Sequence, residues 1–320
     1  MENQMLDRFK TRVMNGACVS VWPTDHAVAT AVVKQKRKGL PVLESCEYHP
    51  IKNRSEQSGI LKKILGSNSL TKHRCVSLLS SEAYQLLMVE APDVSKDELN
   101  EAMRWRIKDM IDFPVEKAVI DVFDIPDQKS SGDMMYVVVA KTEVIAKRVK
   151  LMLDAGFDLS SIDIMELAMR NVASLLPENK QGVAMVWLGL HSGSITLTKE
   201  NTLYFTRHLS GSEKLFGALY SERVTAEMEG WLDTVVIEIQ RTLDFYESQY
   251  QQPPASGVVL VPLIKPVEGL TEYLSSQLGV NVCYLELNGL FEINENLDLD
   301  KVALCLPAIG AALNMDEVSS

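Results

Sequence analysis

The residues best suited to chemistry in this sequence are its histidines and carboxylates, and neither set forms a catalytic or metal-binding pattern. The five histidines include no pair at i and i+4 and no H-E-x-x-H, so they predict no metal site. Residues 189–193 (Gly-Leu-His-Ser-Gly) put a histidine at the nucleophile position of a G-x-S-x-G elbow. Because this segment lies between two predicted antiparallel strands, we interpret it as a plain turn. Asp97 and Glu98 sit at a predicted helix start, where capping explains them.

Composition and charge exclude several classes of protein. The chain has 320 residues, 46% of them hydrophobic and 23% charged, which is typical of a folded protein of about two domains. Its net charge of −11 would repel a phosphate backbone, so nucleic acid is not an expected partner. The five cysteines are widely spaced and contain no C-x-x-C, so they predict neither a disulfide framework nor a zinc site. This cysteine usage favours a reducing cytoplasm.

Neither a membrane span nor an export signal is predicted. The longest near-apolar run, 302–313, is shorter than the ~18 residues that a span needs. The first four residues, Met-Glu-Asn-Gln, are polar and acidic rather than basic, and no apolar stretch follows them. We therefore expect a chain that is made and kept in the cytoplasm.

Two segments of the chain share one order of predicted elements. Alternating apolar residues predict strands at 17–21, 27–33 and 43–48, and again at 183–190, 194–199 and 203–208. Each triplet is followed by a strand, a helix, a strand and a helix. The first set covers 137–140, a helix from Thr142 closed by Gly156, 162–165 and a helix from Glu166, and the second covers 258–261, a helix to Leu278, 282–285 and 301–313. This order predicts a duplicated α/β fold.

An extra unit is predicted at about residues 45–127. Strands at 76–79, 85–90 and 118–125 flank a helix whose start is marked by a capping box, Ser95 with Glu98. Pro114 is predicted to end this helix. From Leu99, residues Met103, Ile107 and Met110 fall on one face and should pack on the small sheet.

Trp105 lies nearly opposite that apolar face, and two interpretations remain open. Large aromatic side chains are costly to leave in water, which favours packing against a neighbouring subdomain. An aromatic residue flanked by Arg104 and Arg106 also has the composition that is enriched at binding hot spots. The sequence alone does not choose between packing and partner binding.

A basic run, Lys-Gln-Lys-Arg-Lys at 34–38, occupies the turn between the second and third predicted strands. Such a run is typical of a solvated turn. The alternative is a contact to anionic lipid headgroups.

Four stretches of the sequence share their motifs with one known protein family. Residues 99–107, running on to Asp112-Phe113-Pro114, resemble the family's Arg-Trp helix and its Phe-Pro ending. Residues 138–144, with Gly156 and Asp163 beyond them, look like the next block of the family. Residues 238–246 are similar to its E-I-x-R-x-L-x-F-Y helix, and 269–312 to its closing section. These stretches resemble PilM-like type IV pilus assembly proteins, and the resemblance covers nearly the whole chain.

The resemblance implies an α/β, actin-like fold, a duplicated ribonuclease H-like fold of two lobes. Lobe one would span 1–176 and carry the small α+β insertion, and lobe two would span 177–320, with the helix 301–313 closing the fold. Family members lie on the cytoplasmic face of the inner membrane. There a groove in lobe one and its insertion holds the N-terminal tail of a bitopic PilN-like protein. The assembly ATPase and other platform proteins are further partners that the resemblance implies.

For the wall of that groove we predict the edge of the insertion near Arg104, Trp105, Phe113 and Pro114. A short tail is disordered when free, so a few buried anchors in a preformed cleft must offset its ordering cost. The acidic surface should favour a tail that carries Lys or Arg.

The chain departs from the family at its nucleotide loops. Family phosphate loops carry Asp-Ile-Gly in each lobe, where the carboxylate positions magnesium and backbone N–H groups face phosphate. The vestigial loops here comprise Ser20, Trp22, Thr24 and Asp25 in lobe one, Trp187, Gly189 and Gly193 in lobe two, and Pro262 at the position of the adenosine loop. Carboxylates are missing at the two aligned positions, which hold serine and tryptophan.

Three hypotheses about function follow. The first is a scaffold without enzymatic activity or cofactor, which docks the tail of a membrane partner. The second is an actin-like ATPase or kinase relative that still binds ATP and magnesium through substitute residues, with Asp25 the only carboxylate close to the first loop. The third is an unrelated duplicated α/β protein. Nucleotide titration separates the first two, and co-purification with a pilus membrane protein separates the first from the third.

Overall fold

The computed structural model describes residues 16–67, 70, 73–95, 97–125, 134–189, 193–209, 223–261, 267–293, 297 and 299–313. In chain order, the strands and helices are β1 (Ala17–Pro23), β2 (Ala27–Lys34), β3 (Val42–Pro50), α1 (Gln57–Ser67), β4 (Arg74–Leu78), β5 (Tyr84–Glu90), α2 (Leu99–Ile107), β6 (Ala118–Asp124), β7 (Met134–Lys141), α3 (Thr142–Ala155), β8 (Leu159–Asp163), α4 (Met165–Ala173), β9 (Val183–Leu188), β10 (Gly193–Lys199), β11 (Thr202–Leu209), α5 (Ala226–Tyr250), β12 (Val258–Leu260), α6 (Leu270–Leu278), β13 (Val282–Tyr284), β14 (Glu292–Ile293) and α7 (Leu299–Leu313).

The strands form two large sheets built on the same plan. The first has the order β14-β3-β2-β1-β4-β8 and the second the order β11-β10-β9-β12-β13. In each, an antiparallel triplet is extended by strands that run parallel to its first member, β1 or β9. Both predicted strand triplets are confirmed, and residues 183–209 pair with no strand of the first sheet among the described residues.

Each central strand is buried on both sides, which explains its continuous apolar sequence. Along β1, Val19 and Val21 pack with α1 and α3, whereas Trp22 packs with α4 and α7. Along β9, Val183, Met185 and Trp187 face that same inner core, and the alternate residues pack with α5 and α6. The inner core therefore lies between the two sheets.

The predicted bounds of the insertion, about 45–127, are wrong at both ends. β3 and β4 pair within the first sheet, and the separate three-stranded sheet β5-β7-β6 is built from residues 84–141. The predicted repeat assigns the strand after the first triplet to residues 137–140. In the structure that strand is β4, which runs parallel to β1 and lies beside β8. The apolar run of β4 does not reveal which sheet it joins, since its neighbour β1 lies about fifty residues earlier.

Helix α2 is shorter than predicted at both ends. It begins at Leu99 with no side-chain cap, so the predicted capping box is wrong; the Ser95 hydroxyl instead donates to the Glu98 carboxylate at 3.0 Å. It ends at Ile107 rather than at Pro114. Met103 and Ile107 are fully buried against the small sheet, but Met110 lies beyond the helix and is 48% exposed.

Helices α4 and α7 join the two sheets. α7 packs on β1, β2 and β3 of the first sheet and against α4, while α4 contacts β9, β10 and β11 of the second. The crossing is close: a Cβ added at Gly310 would lie 2.1 Å from the Ala168 carbonyl oxygen, and the Asn171 amide donates to the Gly310 oxygen at 3.0 Å. Helix α7, predicted as the part of lobe two that closes the fold, packs on the strands of the first sheet.

The small sheet also contacts the second large sheet. The Tyr136 hydroxyl on β7 donates to the Tyr204 carbonyl oxygen at 3.3 Å, and the Tyr250 hydroxyl donates to the same oxygen at 2.9 Å. One face of the small sheet packs on α2, and the other on β11 and α5. The predicted division of the chain at residues 176 and 177 falls between α4 and β9 and stays a prediction.

Candidate functional site

A cavity of about 650 Å³ lies where the first sheet, the insertion and the second sheet meet. Its lining comes from the β1–β2 turn at 22–27, the short helical segment at 80–83, helix α3 and the end of β9 at 187–189. From α3 it receives Val144, Lys147, Arg148 and Leu151. A cavity of this size is in the range that binds small ligands or the anchor residues of a peptide.

Two tryptophans meet at the edge of this cavity. Trp22 at the end of β1 and Trp187 at the end of β9 pack edge-to-face, with ring centroids 6.0 Å apart and planes at 64°. Both side chains are buried, and the Trp22 indole N–H has no hydrogen-bond partner in the described part of the chain. The ends of the two central strands are thus joined by apolar contact.

The β1–β2 turn is closed by its own hydrogen bonds. The Thr24 hydroxyl accepts from the backbone N–H of Ala27 at 2.9 Å and of His26 at 3.2 Å. The Thr24 N–H donates to the Ala27 carbonyl oxygen at 2.8 Å, and Pro23 has no N–H to donate. These backbone donors are therefore engaged within the turn rather than free to receive an anion.

Asp25 is held by an arginine. Arg54 donates from Nε to one oxygen of the Asp25 carboxylate at 2.5 Å and from Nη2 to the other at 2.7 Å. The Arg54 hydrogen bond lowers the pKa of Asp25 below its ordinary value, with a smaller contribution from the charge of Arg54. The pair is largely exposed at the rim of the cavity.

Arg148 crosses behind the turn as a cation bound by neutral oxygens. It donates from Nη1 to the Ser77 hydroxyl at 3.1 Å and to the Leu78 carbonyl at 2.5 Å, and from Nη2 to the Pro23 carbonyl at 3.1 Å. Burial, together with the nearby charge of Arg54, lowers its pKa to about 10. By these bonds Arg148 fixes the ends of β1 and β4 against α3, which makes the cavity wall preformed.

A half-buried carboxylate lies next to the cavity lining. The Tyr84 hydroxyl on β5 donates to Glu166 in the first turn of α4 at 2.5 Å and accepts from the Met165 N–H at 3.2 Å. Burial raises the pKa of Glu166 above its ordinary value, and the bond from Tyr84 partly opposes the rise. The contact ties the insertion to the helix that joins the two sheets.

The remaining vestigial-loop residues have structural roles where they are described. Ser20 is fully buried, and its hydroxyl donates to the Ala308 carbonyl oxygen of α7. Gly189 lines the cavity, and Gly193 begins β10, opposite Leu188. Pro262 and residues 190–192 lie outside the described residues. Among the residues that the structure describes, no cluster of His, Cys, Asp or Glu side chains could hold a metal ion.

The four residues predicted for partner binding lie on the insertion, and none of them lines the cavity. Arg104 donates to the carbonyl oxygens of Val115 at 3.0 Å and Ala118 at 3.2 Å, which fixes the segment after α2. Trp105 is 72% exposed, with the Lys108 ammonium 5.7 Å from its ring. Phe113 is half-buried, with the Lys141 ammonium 5.1 Å from its ring, and Pro114 is exposed. Within the described residues, Trp105 therefore does not pack against a neighbouring subdomain.

Sequence reasoning missed the cationic part of the cavity, although a signal for it was present. Arg148 falls at helical spacing within the apolar residues Val144, Ile145, Leu151 and Met152 of α3. A charged side chain within an apolar stripe is removed from water on folding, so it needs hydrogen-bond partners in the protein. Its place in the stripe therefore indicates that the fold holds it in a fixed position. Arg54 and Gln57, which also line the cavity, belong to a segment where no element was predicted.

A family model described as type IV pilus assembly protein PilM matches residues 44–225. Among solved structures, a PilM–PilN type IV pilus biogenesis complex is 21% identical, with 94% of this chain and 98% of that chain covered and a TM-score of 0.73. The cytoplasmic domain of EpsL, an inner-membrane component of the type II secretion system of Vibrio cholerae, is 11% identical, with 92% and 94% covered and a TM-score of 0.51. A search of curated sequences gave no match. The actin-like fold predicted from the sequence is confirmed.

Proposed function

Because the chain belongs to the PilM family of type IV pilus assembly proteins, we propose that it is a scaffold of the pilus inner-membrane platform, without enzymatic activity. It holds the N-terminal cytoplasmic tail of a bitopic PilN-like membrane protein, and through that partner it lies against the cytoplasmic face of the inner membrane. Likeness to a solved PilM–PilN complex supports this kind of partner. No helix in the described part of the chain combines the length and hydropathy needed to cross a bilayer.

The pilus it serves is, in this proposal, of the mannose-sensitive haemagglutinin type. The short, divergent form of the sequence resembles MshI of that system. The assembly ATPase and other platform proteins are further proposed partners. Deletion of the gene in a strain with this pilus tests the assignment. Loss of mannose-sensitive haemagglutinin pili from the cell surface supports it, and normal pili contradict it.

The absence of nucleotide chemistry is supported most directly by the contact between Trp22 and Trp187. In an actin-like fold the phosphate loops face each other at the ends of these two central strands, and here the two indoles occupy that place. Phosphoryl transfer needs a positioned metal and oriented phosphates. The turn amides are bound within the turn, and the Asp25 carboxylate is bound by Arg54. Neither feature supplies what the reaction requires.

We place the tail in the cavity beside α3. The wall is preformed, because Arg148 and Gln57 bind backbone carbonyls of the β1–β2 segment, and a preformed cleft lowers the cost of ordering a flexible tail. The lining contains apolar surface from Leu151 and Met165 that can bury anchor side chains. Its charges are mixed, with Arg54, Lys147 and Arg148 beside Asp25 and Glu82. A preference for a basic tail would therefore come from the net charge of −11 of the whole chain rather than from the lining.

A second surface for the tail is the edge of the insertion around Trp105. The observation that favours it is the 72% exposure of this side chain, since exposed tryptophans are enriched at binding hot spots. Arg104 is less suited to bind a partner there, because it already donates to two backbone carbonyls.

Calorimetry with the synthetic N-terminal tail of the membrane partner tests the proposal and separates the two surfaces. Wild type should bind at micromolar level, on the order of −8 kcal/mol. Leu151→Glu replaces apolar lining surface by a carboxylate and should weaken binding at least about tenfold, because the anchor side chains of the tail would then be buried against a charged group. Leu153→Glu is the matched control, because Leu153 lies on the same helix, is 53% exposed and is not part of the lining.

The outcomes are distinct. If Trp105→Ala weakens binding by ~1–3 kcal/mol and Leu151→Glu does not, the tail binds at the insertion. If both leave binding unchanged in folded protein, the site lies elsewhere. Failure of wild type to bind the tail removes the scaffold proposal itself.

The alternative function is ATP binding through substitute residues, with Asp25 as the carboxylate near the first loop. Titration with ATP, with and without magnesium, tests it. Binding that requires magnesium and is lost in Asp25→Asn would establish the alternative. No binding under either condition supports the scaffold.

A further inference from the structure

The β2–β3 turn forms an exposed tip, which we call the basic hairpin and define as residues 34–40. Its sequence is Lys-Gln-Lys-Arg-Lys-Gly-Leu, and each of these residues is exposed. Gly39 has a φ of 93°, a left-handed conformation that glycine adopts without strain and that turns the chain here. The turn therefore projects four cations and a leucine away from the first sheet.

Two residues of the basic hairpin anchor it to the fold. The Gln35 side chain donates to the Leu313 carbonyl oxygen of α7 at 2.8 Å, and the Lys36 ammonium forms an ion pair with Glu292 on β14. Because these contacts fix the turn, little conformational entropy is lost when its other residues bind a partner.

The other three cations are left available. Within the described part of the chain, Lys34, Arg37 and Lys38 form no ion pair. Leu40 beside them is 40% exposed, so an apolar side chain is available next to these cations. Three cations and an apolar side chain on one fixed tip have the composition of a contact with the headgroup region of a bilayer.

We propose that the basic hairpin binds anionic phospholipid headgroups at the surface of the inner membrane, with Leu40 reaching the apolar boundary. This inference rests on the proposed function, which brings the chain to that membrane through its partner. The net charge of −11 means that the protein as a whole is repelled by an anionic bilayer. A contact through the basic hairpin would therefore fix which side of the protein faces the membrane. Each cation near an anionic surface strengthens binding roughly fivefold. A contact of this strength is weak alone, but it becomes effective when the bound tail already holds the protein close to the membrane.

Vesicle co-sedimentation tests the proposal. Purified full-length protein is mixed with vesicles of phosphatidylglycerol and phosphatidylethanolamine, or of phosphatidylcholine alone. Wild type should sediment with the anionic vesicles only, and the bound fraction should fall as salt is raised. The triple variant Lys34→Gln/Arg37→Gln/Lys38→Gln should bind on the order of 100-fold more weakly. Leu40→Ser should weaken binding about threefold to tenfold through loss of apolar contact.

The matched control is Lys52→Gln/Lys62→Gln/Lys63→Gln, which removes the same number of exposed positive charges from another surface. It should bind anionic vesicles as wild type does. The proposal is overturned if wild type fails to bind these vesicles, if the control loses as much binding as the hairpin variant, or if the hairpin variant binds normally. Release by inorganic phosphate beyond the effect of chloride at equal ionic strength would also overturn it, since it would indicate a free-anion site.

Failure of this inference is distinguishable from failure of the proposed function. The hairpin triple variant should bind the synthetic tail in solution with unchanged affinity, because none of its changed residues lines the cavity. Tail binding without vesicle binding leaves the scaffold standing and removes the lipid contact.

Discussion

Replacing Gly310 by alanine tests the close crossing of α4 and α7. The added Cβ would lie 2.1 Å from the Ala168 carbonyl oxygen, 2.7 Å from its carbon and 3.1 Å from a methyl group of Val172. Two of these contacts are to backbone, so no side-chain rotation relieves them, and α7 must move away from α4 by about 1 Å, a form of overpacking.

The expected loss of stability follows from three contributions. Overpacking costs about 1–3 kcal/mol, and moving α7 weakens the bond from Asn171 to the Gly310 carbonyl, which costs a further ~1–3 kcal/mol because both groups are buried. Alanine gains about 1 kcal/mol over glycine in helix propensity. We expect a net loss of about 3 kcal/mol in the free energy of unfolding.

Urea unfolding followed by tryptophan fluorescence measures this loss, since Trp22 and Trp187 lie in the same inner core. Gly230→Ala on α5 is the control, because nothing lies within 4 Å of a Cβ added there, and it should stabilise the protein by ~0.5–1 kcal/mol. A Gly310→Ala protein as stable as wild type, with the control behaving as expected, would refute the close crossing.

Three further predictions address the half-buried carboxylate, the exposed tryptophan and the vestigial loops. Burial raises the pKa of Glu166, so the folded state holds its proton more firmly than the unfolded state. The unfolding free energy of wild type relative to Glu166→Gln should therefore fall as pH rises through and above the ordinary carboxyl range. If the difference in unfolding free energy between the two proteins stays constant in urea titrations from acid to neutral pH, this prediction is wrong. Trp105→Ala should change the unfolding free energy by less than about 0.5 kcal/mol because the side chain is 72% exposed, and a loss above ~1 kcal/mol in the same titration would show packing that the structure lacks. Purified protein should hydrolyse ATP no faster than buffer, with or without magnesium, whereas a rate that scales with protein concentration and persists in Asp25→Ala would show an active site that we have not identified.

The strand triplets could be predicted because their pattern is local. Strands β1, β2 and β9 are each buried on both faces, and their short apolar runs follow from that burial. The sequence also carries a local signal for helix α1, because Ile60, Leu61, Ile64 and Leu65 repeat at helical spacing.

Other features depend on contacts between distant parts of the chain. The membership of β4 in the first sheet is decided by pairing with β1 and β8 rather than by its own five residues. The sequence alone shows that each vestigial loop carries a bulky tryptophan. The contact between Trp22 and Trp187 depends on how α4 and α7 hold the two sheets together, which the sequence does not show. The end of α2 at Ile107 was missed because the apolar spacing continues to Met110 after the helix has stopped.

Strand β2 connects the two proposed contact surfaces and so sets a distance between them. It begins at Ala27, on the cavity lining, and ends at Lys34, in the basic hairpin. Seven steps along a strand at ~3.3 Å each span about 23 Å. With the hairpin on the bilayer, a tail emerging from the membrane must cross that gap before its first anchor reaches the cavity, which requires about seven extended residues. If both proposed contacts hold, the length of β2 sets the minimum spacer between the anchor residues of the partner and its transmembrane helix.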